Sequence, residues 1–358
     1  MNSSYKSGKS FWLLLAVVAP VGLTNCSSSE KSNAAGSGGS GNEGGAGSQG
    51  GTSATGSTVF SLLAKSVGRF FIKLNPADTE LGTAANTTVD GTVKDGAELA
   101  NYVETPVSSE GGCTLYKLTA PSCANANSGA GCDVATQVCT ATDTCTKYPV
   151  KKNVGTVTVT GVETSTGTAP FTLTAVANSY SAGGDVTTVY PGFTEGSAIK
   201  VTAAGGDYPG FEISAKGIKQ LVLGASSYQI GTTTPLNVTW TAPGSASDAR
   251  VQATVNLSHH GGSKGYIACD VADTGSLTIS AAQIAGLINM GVAGFPTLTV
   301  IRRSTGTAAV TSGQVVLSVE SSISPAFAVE GYTSCTGDEA VTPCATGKTC
   351  NTNVKLCQ

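Results

Sequence analysis

The sequence predicts an all-β protein of tandem β-sandwich domains, with two small disulfide-stapled modules and a disordered Gly/Ser linker after an N-terminal signal. Three observations support this fold class. Val and Thr recur in short alternating runs, and their branched side chains pack well on a pleated sheet. Turns rich in Gly, Pro and Asp separate these runs at intervals typical of sandwiches. Eight of the 11 cysteines lie in two clusters of similar spacing.

The first 25 residues have the pattern of a secretion signal. Lys6 and Lys9 precede an apolar run of 13 residues, 11–23. A membrane-spanning helix needs about 20 apolar residues, so this run favours a signal over a permanent span. The run is followed by Thr24, Asn25 and Cys26.

The residues around Cys26 resemble the lipobox of bacterial lipoproteins. Leu23, Thr24 and Cys26 match that pattern, whereas Asn25 stands where a smaller residue is usual. The resemblance implies cleavage before Cys26, a diacylglycerol on its sulfur and an acyl chain on its freed amine. Ser27 as the second mature residue implies transport to the outer membrane, where the protein would face the periplasm or the cell surface. An ordinary signal with a coincidental cysteine is the alternative.

Residues 26–57 are predicted to be a lipidated cysteine followed by a flexible tether. Residues 27–57 are mainly Ser, Gly, Asn and Ala, and such sequences cannot bury enough apolar surface to offset the entropy of ordering. Their root-mean-square reach is about 30 Å. The net charge of the chain is −3 and 12% of residues are charged. Without a basic patch, nucleic acid is excluded as a partner.

The rest of the chain is predicted to form two sandwiches and two modules. Residues 58–121 and 150–220 would form the first sandwich, with strands near 69–74, 114–118, 156–160, 171–176, 198–203 and 211–214. Residues 221–325 would form the second, with strands near 236–241, 250–257, 266–269, 276–279, 298–302 and 314–319. Within the second sandwich, residues 280–289 have helical periodicity and Ser280 as a candidate N-cap, which predicts a short helix crossing between strands.

The second sandwich carries a family resemblance. Trp240 on an early strand, followed by Pro243 and Gly244, resembles Ig-like and fibronectin type III-like domains. The layout from Trp240 to Arg303 is also similar to surface lipoproteins of myxobacterial-type Gram-negative bacteria, through the Gly261-Gly262 loop and the Cys269 strand. The resemblance implies a sandwich fold but no defined activity.

The cysteines predict two related modules, residues 122–149 and 326–358. Within them, cysteines follow at steps of 9, 7 and 6 residues and of 9, 6 and 7 residues. Segments this small need covalent staples, and the favoured pairs are Cys123–Cys139, Cys132–Cys145, Cys335–Cys350 and Cys344–Cys357. The other two connectivities of each set stay open. Cys113 and Cys269 would then pair, which leaves Cys26 for the lipid. Zinc sites favour closer cysteine pairs than these.

Two polar motifs suggest chemistry. Residues 273–276, Asp-Thr-Gly-Ser, resemble the aspartic protease signature. That reaction needs two aspartates sharing a proton, so a single copy would act only in a symmetric dimer; the alternative is a strand-connecting turn. His259 and His260 are either a metal or catalytic pair or part of a solvated loop.

Loop aromatics suggest a binding role. Tyr190, Phe193, Tyr208 and Phe211 lie in Gly- and Pro-rich sequence, where exposed rings stack on sugars and buried rings fill cores. The sequence therefore predicts a non-catalytic structural, adhesion or ligand-binding protein of the cell envelope. Its expected partners are the membrane, through the lipid, and a cell-wall or extracellular polysaccharide or another surface protein. No cofactor is expected besides the covalent lipid.

Overall fold

The structure, a computed structural model, describes residues 59–78, 82–243, 248–259, 262, 264–338 and 340–358. These residues form many strands and three short helices, which confirms the predicted all-β, β-sandwich-like fold. The first strands are β1 (Gly68–Asn75), β2 (Asn86–Val93), β3 (Val103–Glu110), β4 (Cys113–Thr119), β5 (Gln137–Ala141), β6 (Thr144–Lys147), β7 (Val157–Thr160), β8 (Phe171–Thr172), β9 (Thr174–Val176), β10 (Ser179–Ser181) and β11 (Ala198–Gly205).

The second half of the chain contains strands of more varied length. They are β12 (Pro209–Lys216), β13 (Ser227–Ile230), β14 (Leu236–Thr239), β15 (Arg250–His259), β16 (Gly265–Ala272), β17 (Ser276–Ile279), β18 (Phe295–Val310), β19 (Gly313–Ile323), β20 (Ala326–Val329), β21 (Cys350–Asn351) and β22 (Leu356–Cys357). The helices are α1 (Val59–Lys65), α2 (Ala126–Gly129) and α3 (Ala281–Asn289).

Ten strands form one large sheet in the order β3-β4-β16-β15-β18-β19-β1-β2-β10-β9. Neighbours in it are antiparallel except for β1 and β19, which pair in parallel. A second layer contains the four-stranded sheet β12-β11-β7-β8 and the strand pairs β14-β17 and β13-β20. The pairs β5-β6 and β21-β22 belong to the two cysteine modules.

Both hydrophobic cores lie on one face of the large sheet. Directly paired residues share a face, as do alternate residues of one strand. Val319 of the first core pairs with Ser304, and Val300 of the second core lies four residues earlier on the same strand. The four-stranded sheet covers the first core, and β14, β17, β13, β20 and α3 cover the second. We call this the core face, and the opposite side the polar face.

The predicted boundary near residue 220 does not separate two independent sandwiches, because one sheet spans both segments. The first core includes Leu317 and Val319 from the predicted second domain. The second core includes Cys113 and Leu115 from the predicted first domain. The parallel pairing of β1 with β19 and the pairing of β4 with β16 cause this sharing, and neither is encoded in local sequence.

The second cysteine module docks on the second core, whereas the first has a more exposed hairpin. Leu356 is buried in that core, and Gly294 N donates to Val354 O at 2.6 Å. In contrast, the residues of β5 and β6 are half-buried or exposed. The modules are therefore similar in sequence but differ in how they join the sandwich.

Helix α3 follows the sequence prediction. Ser280 precedes it in an extended conformation, and its Oγ accepts from Gln283 N at 3.3 Å. This is the bond expected of an N-cap. Ile284, Leu287 and Ile288 are buried in the second core, as their shared face predicts.

The predicted strand 171–176 is wrong as a single strand. It divides into β8, which pairs with β7 in the small sheet, and β9, which pairs with β10 at the edge of the large sheet. Leu173 between them is buried in the first core, and its N donates to Val157 O at 2.8 Å. The chain therefore changes sheets at Leu173.

Candidate functional site

Five disulfides involve ten cysteines of the described residues. They are Cys113–Cys269, Cys123–Cys139, Cys132–Cys145, Cys335–Cys350 and Cys344–Cys357. These are the pairs that the sequence favoured. The Cα–Cα distances are 5.9 and 5.4 Å in the first module and 5.8 and 5.5 Å in the second.

The two modules also share two local backbone features, a residue with positive φ and an Asx turn. Two residues before the last cysteine, Asp143 and Lys355 have φ values of 54° and 57°. In each module an aspartate side chain accepts from the backbone two residues later: Asp133 Oδ1 from Ala135 N at 3.1 Å, and Asp338 Oδ1 from Ala340 N at 3.0 Å. Such Asx turns order a loop without a hydrophobic core.

The module sulfurs are close enough to be considered as a metal site. In the described residues, the groups of three potential ligands are Cys123, Cys132 and Cys139, and Cys335, Cys344 and Cys357. All six sulfurs are in disulfides. Because a metal binds the thiolate form, the oxidised modules do not offer these ligands.

The aspartic protease hypothesis fails on the geometry of Asp273. Arg302 Nε and Nη2 donate to its two carboxylate oxygens at 2.6 and 2.9 Å, and Trp240 Nε1 donates to Oδ1 at 2.7 Å. Both charged side chains are buried. Asp273 lies in the bend between β16 and β17, as the alternative interpretation predicts. A carboxylate held by an arginine on both oxygens does not share a proton with a second aspartate.

Arg302 is itself fully satisfied, which explains why the fold tolerates a buried charge. Its Nη1 donates to the carbonyl oxygens of Lys219 and Gln220 at 3.2 and 3.0 Å, and its Nη2 donates to Thr241 O at 2.7 Å. The guanidinium therefore ties the segment between β12 and β13 to the end of β14. Its role is structural.

Two of the four predicted sugar-binding aromatics lie inside the first core and the other two pack against it, so they do not form the exposed loop platform that sugar binding requires. Phe193 and Tyr208 are buried there, and Tyr190 and Phe211 pack against the same cluster. Tyr208 Oη donates to Lys94 O at 3.1 Å, and the Phe211 ring centroid lies 6.4 Å from that of Phe70. Burial also raises the pKa of Tyr190.

Other predicted residues are not tested. His259 is the exposed last residue of β15, whereas His260 lies outside the described residues. Cys26, the signal and the tether also lie outside them. The histidine pair and the lipid site therefore stay predictions.

The polar face carries a hydrogen-bonded row of charged and polar side chains, which sequence reasoning missed. Arg250 donates through Nε to Asp270 Oδ1 and through Nη2 to Asp270 O, the latter at 2.9 Å. Gln252 Nε2 donates to Asp270 Oδ2 at 3.3 Å and its Oε1 accepts from Arg303 Nη1 at 2.7 Å. Asp270, Gln252 and Arg303 are buried.

The same row continues onto β19 and β1. Arg303 Nε donates to Glu320 Oε2 at 2.9 Å, and Ser318 Oγ donates to the same oxygen at 3.1 Å. Lys73 Nζ lies 3.9 Å from Glu320 Oε1. Opposite charges alternate along the row, so each charge is compensated by a neighbour.

A long crossing segment, residues 94–102, passes over the polar face. It joins β2 to β3, which are seven positions apart in the sheet, or at most about 34 Å. The ten steps from Val93 to Val103 span about 33–36 Å when extended, which is enough to cover this distance. Glu98 pairs with Lys94 and raises the pKa of Arg69 on the polar face, although burial lowers that pKa more strongly. The segment ends at the start of β3.

Glu104, Tyr116 and Tyr266 form a cluster at the β3 end of the polar face. Tyr116 pairs directly with Tyr266 on β16 and with Pro106 on β3, two residues from Glu104, so all share one face. The two tyrosine rings stack with centroids 5.2 Å apart and planes at 23°. Tyr266 is only 4% exposed, and its hydroxyl has no hydrogen-bond partner.

In this cluster, Glu104 is mainly uncharged at pH values below its pKa. Burial raises the pKa of Glu104 to about 7, and the neighbouring Tyr266 hydroxyl lowers it slightly. Burial and then the Glu104 charge raise the pKa of Tyr266. The Tyr266 hydroxyl therefore lies close enough to the Glu104 carboxyl group for each to shift the pKa of the other, although no hydrogen bond of good geometry joins them. The cluster combines a carboxyl group, a buried hydroxyl beside it and a stacked ring.

Comparison with known proteins adds no assignment. No protein-family model matches the chain, and no curated protein matches it either. None of the helices in the described part of the chain is long and apolar enough to cross a membrane.

One signal in the sequence could have revealed the polar face. Arg302, Arg303 and Glu320 stand in strands that are otherwise free of charge and rich in apolar residues, at 298–303 and 314–321. Charged residues are almost never buried unless paired, so opposite charges within two such strands indicate a paired row. Glu104 carries no such signal, because its neighbours Val103 and Thr105 are exposed.

Proposed function

We propose that this chain is a lipid-anchored, non-catalytic protein of the cell envelope. The observation that carries the proposal is the disulfide inventory. Ten of the 11 cysteines pair in the folded region, and the remaining one, Cys26, stands where the lipobox-like pattern ends. Disulfides persist in oxidising compartments such as the periplasm and the cell surface.

The geometry supports a structural or binding role for the folded part. The motif most similar to a catalytic one, Asp273, is engaged by Arg302 and Trp240. The other buried acids, Asp270 and Glu320, are paired with arginines in the polar row. Charges fixed in this way stabilise the sheet. A stable β-sheet domain on the predicted tether of residues 27–57 suits adhesion, display or recognition at the outer membrane.

The anchor is tested by expressing the full chain in a Gram-negative host with a radiolabelled fatty acid. We expect label in the wild-type protein, loss of residues 1–25, and an intact mass that includes the lipid and lacks ten protons through five disulfides. Cys26→Ala should lose the label and leave the membrane fraction. Cys132→Ala/Cys145→Ala, which removes two cysteines without affecting the signal, is the matched control and should retain the label. A labelled Cys26→Ala protein would contradict the proposal.

A further inference from the structure

The first and the last strand of the large sheet, in chain order, are neighbours in it. These strands are β1 and β19. They pair in parallel through seven register pairs, from Gly68 opposite Val315 to Leu74 opposite Ser321. The chain enters β1 at Gly68 from the N-terminal side and leaves β19 at Ile323 toward the C-terminal cysteine module. The two ends of the chain therefore reach this strand pair at its opposite ends.

This arrangement determines how the strand pair responds to tension. A pull on the two ends of the chain draws β1 and β19 past each other along their length, which is shear. Hydrogen bonds between parallel strands are evenly spaced along the pair, so shear strains all of them together. A pull on the same end of both strands would instead open the bonds one after another. For the same bonds, shear therefore needs a larger force than peeling.

Buried side chains also hold β1 in place. Phe70, Ile72 and Leu74 are almost fully buried in the first core, so drawing β1 out of the sheet exposes apolar surface to water, which is unfavourable. On the polar face, Lys73 Nζ lies 3.9 Å from Oε1 of Glu320, its register partner on β19. At its other edge, β1 pairs with β2 through eight register pairs. The strand is thus held at both edges and on both faces.

The elements on either side of this strand pair have fewer bonds. On the N-terminal side, Arg69 Nη2 donates to Leu63 O of α1 at 2.7 Å, and Arg69 Nε donates to Ser66 Oγ at 3.0 Å. On the C-terminal side, β20 pairs with β13 through four register pairs. These contacts give way before seven register pairs strained together, and the tension then reaches Gly68 and Ile323.

Disulfides determine which residues are stretched after the strands separate. Cys335–Cys350 and Cys344–Cys357 join the end of the chain to the start of the C-terminal module. Cys113–Cys269 closes a sequence separation of 156 residues, and the first cysteine module lies within the loop it closes. Covalent bonds survive forces that separate hydrogen-bonded strands. The loop between Cys113 and Cys269 is therefore bypassed by the tension.

We propose that β1 and β19 form a mechanical clamp that carries tension between the N-terminal tether and the C-terminal module, and that Cys113–Cys269 limits the extension once the clamp opens. The clamp keeps the sandwich folded while the membrane holds one end of the chain and a bound surface pulls on the other. The source of this tension rests on the proposed function, because the lipid at Cys26 would hold the N-terminal end. The strength of the clamp does not depend on the lipid.

The test compares two directions of pulling on one folded protein by single-molecule force spectroscopy. The full chain carries Cys26→Ala, which removes the lipid site, and Thr311→Cys in the exposed turn between β18 and β19. The other ten cysteines are in disulfides, so the new thiol alone accepts a handle. The N-terminal tether is pulled against either the C-terminus or residue 311. The first direction shears the clamp, whereas the second peels it from the Gly68 end, because residue 311 precedes the start of β19.

We expect the rupture force to be several-fold lower for pulling from residue 311 than for pulling from the C-terminus at the same loading rate. Forced unfolding follows the kinetic barrier rather than the equilibrium stability. Both measurements also use the same protein, so a difference in its stability cannot produce this result. Equal forces in the two directions, or a higher force from residue 311, would overturn the proposal.

The length of chain released at rupture provides a second readout. Cys113→Ala/Cys269→Ala, pulled between the two termini, should release about 510–560 Å more chain than the protein with this disulfide, because each of the 156 positions adds about 3.3–3.6 Å. Cys132→Ala/Cys145→Ala opens a disulfide inside the same loop and is the matched control, with unchanged length expected. An equal released length in both variants would overturn the proposed path of tension. Absence of lipid from the wild-type protein would contradict the anchor and leave these measurements unchanged, so the two proposals fail separately.

Discussion

The core face and the polar face of the large sheet are made by the same strands, yet they are stabilised differently. Consecutive residues show this directly: Phe70 and Arg302 point to the core face, and Phe71 and Arg303 to the polar face. On the core face, apolar side chains fill two clusters around the buried ion pair of Arg302. On the polar face, burial is accompanied by a continuous hydrogen-bonded row. Removing a side chain from the core face leaves a void or an unpaired charge. On the polar face, neighbouring side chains can compensate for a lost hydrogen bond or ion pair.

The largest difference is expected between the two adjacent arginines. Arg302→Ala leaves Asp273 buried without its cation and should cost about 3–5 kcal/mol. Arg303→Ala leaves Glu320 with Ser318 and Lys73, so the cost should be about 1–3 kcal/mol. Urea unfolding followed by circular dichroism measures both. Equal losses of stability in the two variants would show that Ser318 and Lys73 do not compensate Glu320 when Arg303 is removed.

The two adjacent phenylalanines test packing in the same way. Phe70 is fully buried, and Gly91 lies so close that an added Cβ would stand 2.2 Å from its ring. Phe70→Ala should therefore cost about 3–5 kcal/mol. Phe71 is half-buried with the Lys73 ammonium 4.6 Å from its ring centroid, and Phe71→Ala should cost about 1–2 kcal/mol. A larger loss from Phe71 would reverse the assignment of the faces.

The Cys113–Cys269 disulfide joins β4 to β16, next to β3 at one edge of the large sheet. Removing it tests how firmly this edge is held. The disulfide closes a sequence separation of 156 residues, against 13 for Cys132–Cys145. Replacing both cysteines of the first pair with alanine should cost about 2–4 kcal/mol. The loop-closure term makes this about 2 kcal/mol more than the same change in the module. Thermal unfolding measures the difference, and hydrogen exchange should show faster opening of β4 only in the first variant.

The smallest effect concerns the pH dependence of the polar face. Glu104 in the unfolded chain ionises near pH 4.5, whereas burial in the folded protein raises its pKa to about 7. Ionisation is thus penalised in the folded state, so stability should be highest below pH 4.5, fall as pH rises to 7, and level off above it.

Because Glu104 is partly exposed, solvent screening reduces this loss to about 1 kcal/mol. Urea midpoints at pH 4.5 and 7.5 measure it. Glu104→Gln should remove this difference, whereas Glu110→Gln, on the same strand and exposed, should retain it. A wild-type midpoint that rises over this range would contradict the assignment.

Local sequence predicted the features that depend on neighbours along the chain. Ser280 and the spacing of Ile284, Leu287 and Ile288 were sufficient for α3, because a cap and one apolar face define a short helix. The cysteine spacings likewise favoured the module pairs that the structure contains. The aromatic residues misled, because Phe193 and Tyr208 look alike in sequence whether their rings are exposed or buried.

By itself the sequence determined the all-β class, the two stapled modules, and a lipobox-like Cys26 beyond the paired cysteines. These follow from alternation, turn residues and covalent chemistry, which act over short stretches of chain. Tertiary structure alone decided that one sheet joins both halves, that Asp273 belongs to Arg302, and that Glu104 meets Tyr116 and Tyr266. Asp273 and Arg302 are 29 positions apart, and Tyr116 and Tyr266 are 150 positions apart. No local pattern specifies which distant strands will pair.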